Sequence, residues 1–147
     1  FLDPAFQIYL QGVSLRLLAK FIKRYSNIAQ LLHHIPDKEV NNLNLTKEYL
    51  LDNLFREFPG VNMLAEMAGM SVTKYKSLFS KLFVTTPNNF FIRQKMILAN
   101  ELLKSENFVE LSDVAHKLNY TTTSKFSSAY FKQFGKKPVD DFIKSEF

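Results

Sequence analysis

Two short stretches of the sequence, 50 positions apart, follow the same pattern. The first is LAEMAGMS, residues 64–71, and the second is VAHKLNYT, residues 114–121. Each has an Ala where two helices can cross closely, and four residues later Gly69 or Asn119, which accept a left-handed backbone. A hydroxyl that can cap the next helix follows shortly after. The pattern predicts two copies of a short helix, a sharp turn and a second helix.

The rest of the chain is also predicted to be helical. The two helix-turn-helix units should span about 61–83 and about 110–134, and Pro87 precedes a strongly apolar linker helix of about 88–104. No stretch alternates apolar and polar residues for long enough to indicate a sheet. The predicted fold is all-α, with two tandem helix-turn-helix subdomains joined by a linker helix and preceded by an N-terminal helical segment.

Residues 1–45 lie outside the repeat and are predicted to be a helical linker, or the tail of a missing N-terminal domain. A short helix is expected from Asp3-Pro4 and a longer one from Ser14. Residues 36–45 are polar and turn-rich, which makes them the predicted boundary, with Thr46 capping the next helix. The helix from Ser14 has an apolar stripe of Leu15, Leu18, Phe21, Ile22, Tyr25, Ile28 and Leu32. That stripe suits pairing with a second subunit or, the reading we prefer, packing against the rest of the same chain.

Composition argues against several classes of protein. The absence of Cys removes disulfides, thiolate catalysis and Cys-based zinc sites. His33 and His34 are adjacent and His116 is distant in sequence, so no metal site is expected. Asp140 and Asp141 suit the first turn of a last helix better than paired catalytic carboxylates. No phosphate-binding glycine motif occurs, and we predict neither an enzyme nor a cofactor.

The charge distribution and the length of the apolar runs narrow the choice further. Residues 61–147 carry twelve basic against eight acidic residues, whereas residues 1–60 carry seven against six. This excess of positive charge suits a polyanion such as DNA. No apolar run reaches the roughly 18 residues that a membrane span needs, so no membrane association is predicted.

The repeat and its flanks resemble the C-terminal DNA-binding domain of the AraC/XylS transcription regulators. The resemblance rests on LAEMAGMSVTKYKSLFSKLF, KMILANELLKS and LSDVAHKLNYTTTSKFSSAYFKQFGKKPVDDF, and it assigns residues 46–147 to this domain. It implies about seven helices, with two recognition helices that meet successive major grooves on one face of DNA. Three departures are visible: Val84 stands where the family usually has Gly, Lys95 replaces a common Arg, and Asn119-Tyr120 replaces a Gly-Phe pair.

The resemblance also implies which side chains would contact DNA. The base-reading candidates are Thr73, Lys74, Lys76, Ser77, Thr123, Ser124, Lys125, Ser127 and Ser128. The phosphate-contact candidates are Ser71, Lys81, Arg93, Thr122, Lys132, Lys136 and Lys137. Because the base-reading set lacks Arg, Asn and Gln, we predict modest direct readout, with DNA shape and backbone contacts contributing more.

The function that follows is a bacterial, cytoplasmic transcription regulator, expected to be an activator, that binds double-stranded DNA with some sequence preference. RNA polymerase is a further expected partner, and a homodimer through residues 14–32 another. Two alternatives stay open. One is a helical protein–protein interaction module, and the other is an architectural DNA binder with little sequence preference.

Overall fold

A computed structural model describes residues 4–32, 35–105 and 107–143 of the chain. Within these ranges every regular element is helical, which confirms the all-α prediction. The helices are α1 (Pro4–Leu32), α2 (Asp37–Asp52), α3 (Val61–Met67), α4 (Val72–Phe83), α5 (Pro87–Leu103), α6 (Leu111–Lys117) and α7 (Thr123–Phe134). None of the described helices is both long and apolar enough to cross a membrane. His33 and His34 lie outside the described residues.

The chain divides into two compact units, residues 1–37 and 38–147. The first unit contains a single helix, α1, so the prediction of a short helix followed by a second one from Ser14 is wrong. Gly12 is the one weak helix former between the two expected segments, and it costs only about 1 kcal/mol inside a helix, too little to end one. Four members of the predicted stripe are more than half exposed: Leu15, Leu18, Phe21 and Ile22. The side chains of its other three members lie outside the described residues.

The stretch predicted to be a turn-rich boundary is helical. Helix α2 runs through residues 37–52 without interruption, and Thr46, expected to be an N-cap, lies buried in its interior. The Thr46 hydroxyl donates to the carbonyl of Leu43 at 2.8 Å and accepts from the hydroxyl of Tyr75 at 3.1 Å. Burial of Leu43 and Leu50 on the same side of α2 outweighs the low helix propensity of its Asn residues. The division of the chain into domains at residue 45 stays a prediction.

Both helix-turn-helix units form where they were predicted, with helix bounds that agree to within one residue. Gly69 has φ 63° and Asn119 has φ 61°, so each turn uses the left-handed conformation. In both turns the next residue donates its N–H to the carbonyl of the buried Ala five residues earlier, at 2.9 Å. Ser71 and Thr122 then cap α4 and α7 by accepting from the N–H three residues later.

The described part of residues 38–147 contains two hydrophobic cores. The buried residues of the first core are Leu43, Leu50, Leu64, Ala65, Ala68, Tyr75, Phe79 and Phe91. The buried residues of the second core are Met96, Ala99, Leu103, Val114, Ala115, Leu118, Phe126 and Tyr130. Helix α5 belongs to both cores, because its N-terminal part contributes Phe91 to the first and its C-terminal part contributes Met96 and Leu103 to the second. The linker helix therefore joins the two helix-turn-helix units through packing as well as through the chain.

The last helix that was predicted after α7 is reduced to one turn. Pro138–Asp140 form a single turn of 3-10 helix. The Asp140 carboxylate accepts from the backbone N–H of Lys137 at 2.9 Å, while Asp141 faces Tyr130 and Lys136. The two carboxylates thus have separate partners, and each is used to hold the segment in place.

Candidate nucleic-acid interface

Helix α4 has one buried and one exposed face. Tyr75 and Phe79 are fully buried in the first core. The four base-reading candidates of this helix are all exposed, and they are Thr73, Lys74, Lys76 and Ser77. This separation follows from the period of the helix, because residues three and four apart lie on the same side.

Helix α7 repeats this arrangement in the second unit. Phe126 and Tyr130 are buried, and they occupy the positions of Tyr75 and Phe79 one unit earlier. Among the candidates of α7, Ser124, Lys125 and Ser128 are exposed and Thr123 and Ser127 are half-buried. The structure therefore places the whole predicted α4 set on the exposed side of its helix, but only three of the five α7 candidates.

Two of the candidate lysines differ in what they contact. The Nζ of Lys74 lies 2.6 Å from a carboxylate oxygen of Glu39 on α2, so this cation is already paired. The Nζ of Lys125 donates to the hydroxyl of Thr121 at 3.2 Å and so keeps its charge unpaired among the described contacts. Within the described residues Lys76 takes part in none of the three ion pairs. Lys81 takes part in none of them either, but it is half-buried, so Lys76 is the more accessible of these two cations of α4.

An apolar hollow lies beside the exposed face of α7, and sequence reasoning missed it. It has a volume of about 420 Å³ and is lined by Leu111, Ser124, Ser127, Ser128, Phe131, Lys137, Pro138 and Val139. Phe131 is 55% exposed and Val139 is 57% exposed. The signal in the sequence was Phe131 itself, which follows Ser127 and Ser128 by one helical turn. Apolar side chains at such a face can contact thymine methyl groups.

Two phosphate-contact candidates from different helices meet in one cleft. Arg93 on α5 and Lys132 on α7 line a cleft of about 290 Å³, together with Asn89, Ile92, Ala129 and Gln133. No carboxylate lines this cleft, and the amides of Asn89 and Gln133 add donors. An anion bound in this cleft could therefore contact two cations and two neutral hydrogen-bond donors.

The other phosphate candidates have varied surroundings. Lys137 lines the hollow beside α7, and Lys81 is half-buried in the last turn of α4. Lys136 is bound to Asp141, with its Nζ 2.7 Å from the carboxylate. Ser71 and Thr122 are exposed at the N-termini of α4 and α7, where helix ends present backbone N–H groups.

The described residues lack the groupings that metal chemistry requires. No three His, Asp or Glu side chains among them lie close enough together to hold an ion. The exposed faces of α4 and α7 carry mainly hydroxyl groups and lysines, which can donate hydrogen bonds to a bound partner.

Comparison with known proteins identifies the family. A family model described as "Helix-turn-helix domain" matches residues 64–141, just over half of the chain. The chain belongs to the AraC/XylS family. This family consists of DNA-binding transcription regulators and not of enzymes, in agreement with the prediction from sequence. The match runs from within α3 to beyond α7 and includes the linker helix between the two units.

Individual AraC-type relatives agree with this assignment. The HTH-type transcriptional regulator ExsA of Pseudomonas aeruginosa is 25% identical over 141 residues, covering 92% of this chain and 47% of ExsA. Among solved structures, the DNA-binding domain of AdpA in complex with a target DNA has a TM-score of 0.61 at 23% identity, covering 67% of this chain and 86% of that one. An AraC-type regulator from Chromobacterium violaceum has a TM-score of 0.62 at 17% identity, covering 72% and 93%. The chain spans between a quarter and about half of the length of the curated relatives it matches.

Proposed function

We propose that this chain binds double-stranded DNA as part of a transcription regulator, with α4 and α7 entering successive major grooves. The observation that carries the proposal is the pair of equivalent twelve-residue helices, each presented by the same turn and each with an exposed polar face. A helix of this kind fits the major groove of B-DNA. The AdpA domain, which shares the fold, was solved with its target DNA.

Base recognition by these two faces is proposed to be modest and unequal. On α4, Lys76 can donate to guanine O6 and N7, and the methyl group of Thr73 can pack against thymine. On α7 the serines discriminate weakly, and Phe131 adds an apolar contact beside them. We therefore expect the element read by α7 to be rich in thymine, and DNA shape to contribute to both elements.

Phosphate contacts are proposed to supply much of the affinity. The cleft with Arg93 and Lys132 and the N-termini of α4 and α7 are the best placed groups. If about six phosphates are engaged, the slope of log affinity against log salt should be about −5.

Charge reversal on the two recognition helices tests the proposal. We expect Lys76→Glu and Lys125→Glu each to weaken binding to a selected duplex by about tenfold or more, because each places a carboxylate against the DNA. Fluorescence anisotropy measures the affinity, and circular dichroism checks that the helices remain. Lys20→Glu is the matched control, since Lys20 is exposed on α1 and outside the proposed interface. Unchanged DNA binding by both folded variants would contradict the proposal and favour a protein-interaction module.

Three further features complete the proposed function. Because Leu15, Leu18, Phe21 and Ile22 are exposed on α1, we propose that residues 14–32 pair with a second copy of the chain. Sedimentation equilibrium would detect this pair as twice the 17.1 kDa monomer mass.

As an activator the protein would also contact RNA polymerase, and transcription in vitro from a template with the selected element should increase. We also propose that the protein acts in the bacterial cytoplasm, where its DNA targets and RNA polymerase are.

A further inference from the structure

Lys95 is a charged side chain buried in the middle of the linker helix α5. It is only 5% exposed, and burial lowers its pKa to about 8, with the charge of Glu57 partly opposing that shift. At neutral pH the side chain therefore remains mostly protonated. A buried ammonium group is costly unless its protons have acceptors.

Residues 38–147 have two halves, one built on the first core and one on the second. The hydrogen-bond acceptors of Lys95 come from both halves. Its Nζ donates to the carbonyl of Arg56 at 2.6 Å, in the turn that follows α2, and to the carbonyl of Leu118 at 2.9 Å, at the end of α6. The same Nζ lies 5.0 Å from the ring centre of Phe91 and 5.6 Å from that of Tyr120. Phe91 belongs to the first core and Tyr120 packs on the second.

Few other contacts of this kind connect the two halves. Among the described residues, no second side chain hydrogen-bonds to both of them. Lys117 lies within 5.9 Å of the Phe55 ring and 5.4 Å of the Phe108 ring, but Phe55 is 45% exposed and this contact is correspondingly weak. Apart from the packing of α5 in both cores, the polar contacts that connect the two halves thus converge on one ammonium group.

We propose that Lys95 is a positioning residue that fixes the orientation of the two helix-turn-helix units, and with it the spacing of DNA elements that the chain accepts. The part that concerns DNA rests on the function proposed above. Two recognition helices on one rigid body bind paired elements strongly only when the spacing matches, because the second contact then becomes intramolecular. When the orientation is loose, part of that advantage is lost and other spacings become acceptable.

Three variants separate positioning from folding. Lys95→Met replaces the buried charge with an apolar side chain of similar length, a change that folded proteins often tolerate. Lys95→Arg keeps a cation with several donors and serves as the conservative rescue. Lys104→Met makes the same substitution at an exposed lysine just beyond the same helix. Circular dichroism and thermal unfolding show whether each variant of the 147-residue chain is folded.

The first measurement needs no DNA. Because the chain has no Cys, Glu66→Cys and His116→Cys can carry spin labels at equivalent exposed positions of α3 and α6. Pulsed electron spin resonance should give one narrow distance distribution in the parent and in the Lys95→Arg and Lys104→Met variants, and a broad or shifted one in folded Lys95→Met. An unchanged narrow distribution in Lys95→Met would overturn the proposal.

The second measurement uses duplexes with one selected element, with both elements, or with both at spacings longer by one and two base pairs. We expect Lys95→Met to bind the two-element duplex about tenfold more weakly, to bind the single-element duplex within about twofold of the parent, and to lose the spacing preference. Equal weakening on all duplexes, or a retained spacing preference, would overturn the positioning role. Failure of the parent to bind any duplex would instead contradict the proposed function, and the spin-label distances would still decide the role of Lys95.

Discussion

At the residue scale, Val84 stands out because its backbone is in a conformation that its side chain disfavours. It is the C-cap of α4 with φ 57°, in the left-handed region, and the matching residue after α7 is Gly135 with φ 72°. The left-handed conformation costs a β-branched residue about 1–2 kcal/mol, because its Cβ approaches the following carbonyl oxygen too closely. Glycine has no Cβ and avoids this clash. The family resemblance indicated Gly at this position, and the structure shows that Val84 adopts the glycine conformation.

Replacing Val84 with Gly should therefore stabilise the protein. We expect the free energy of unfolding to rise by about 0.5–1 kcal/mol, because relief of strain exceeds the added flexibility of the unfolded chain. Urea unfolding followed by circular dichroism measures this. Gly135→Ala is the opposite change, and it should lower stability by about 1 kcal/mol although no atom lies within 4 Å of the added Cβ. A loss of stability in Val84→Gly would show that the valine side chain contributes more by packing than it costs in strain.

Some residues could be assigned from sequence and others could not. Gly69 and Asn119 were assigned because turn residues carry a local conformational signal. The acceptors of Lys95 are backbone carbonyls 39 and 23 residues away, and a backbone carbonyl has no sequence signature. The Glu39 partner of Lys74 is 35 residues distant and stands in a stretch that was predicted to be a turn.

At the scale of whole elements, sequence prediction succeeded where residues that cap or end helices mark the helix limits. Most ends of helices α3 to α7 lie at glycine, asparagine, proline or hydroxyl caps, the exceptions being Val84, Lys104 and Glu110. The bounds of the two units and of the linker helix therefore agree with the prediction to within one residue. Helix α2 was partly missed because its first turns are polar and become helical through tertiary burial of residues such as Leu43. Helix α1 was predicted as two helices because Asp3-Pro4 and the apolar stripe from Ser14 were treated as separate signals, whereas the structure has one helix through both.

The segment after α7 is held to the helices by one carboxylate. Asp141 accepts from the hydroxyl of Tyr130 at 2.6 Å and from the amide of Asn100 at 3.2 Å, while Lys136 approaches at 2.7 Å. The hydrogen bonds from Lys136 and Tyr130 hold the pKa of the Asp141 carboxyl below its ordinary value of 3.8. Burial, with the hydrogen bond to Asp141, raises the pKa of Tyr130 to about 12.

Asp141→Asn should weaken the segment in a pH-dependent way. Because the folded pKa is lowered, the carboxylate contributes stability above about pH 4, and that contribution is lost as the pH falls further. We expect the variant to be less stable than the parent by about 1–3 kcal/mol at pH 7, and the difference to shrink towards pH 3. Urea unfolding at pH 7, 5 and 3 measures it, with Asp140→Asn as the control because Asp140 holds only the Lys137 N–H. A difference that stays constant with pH would contradict a role for the ionised carboxylate.

At the scale of the whole molecule, the two helix-turn-helix units complement each other. Each presents few groups that can read a base firmly, and the two faces differ, with Lys76 on α4 and Phe131 on α7. If the two faces read DNA as proposed, two weak readers on one body can still select a site, because their contributions combine when both elements are present. The faces themselves followed from helical period and resemblance, whereas the hollow at Phe131 and the cleft of Arg93 and Lys132 depend on packing between distant segments.

Selection from a randomised pool of duplex DNA, at about physiological salt to suppress purely electrostatic binding, tests the two-helix reading of DNA most directly. We predict enrichment of two short elements about one helical turn, or about 10 base pairs, apart. Binding without enrichment would contradict sequence preference and indicate an architectural DNA binder. Retention of no DNA by the folded chain would contradict DNA binding altogether.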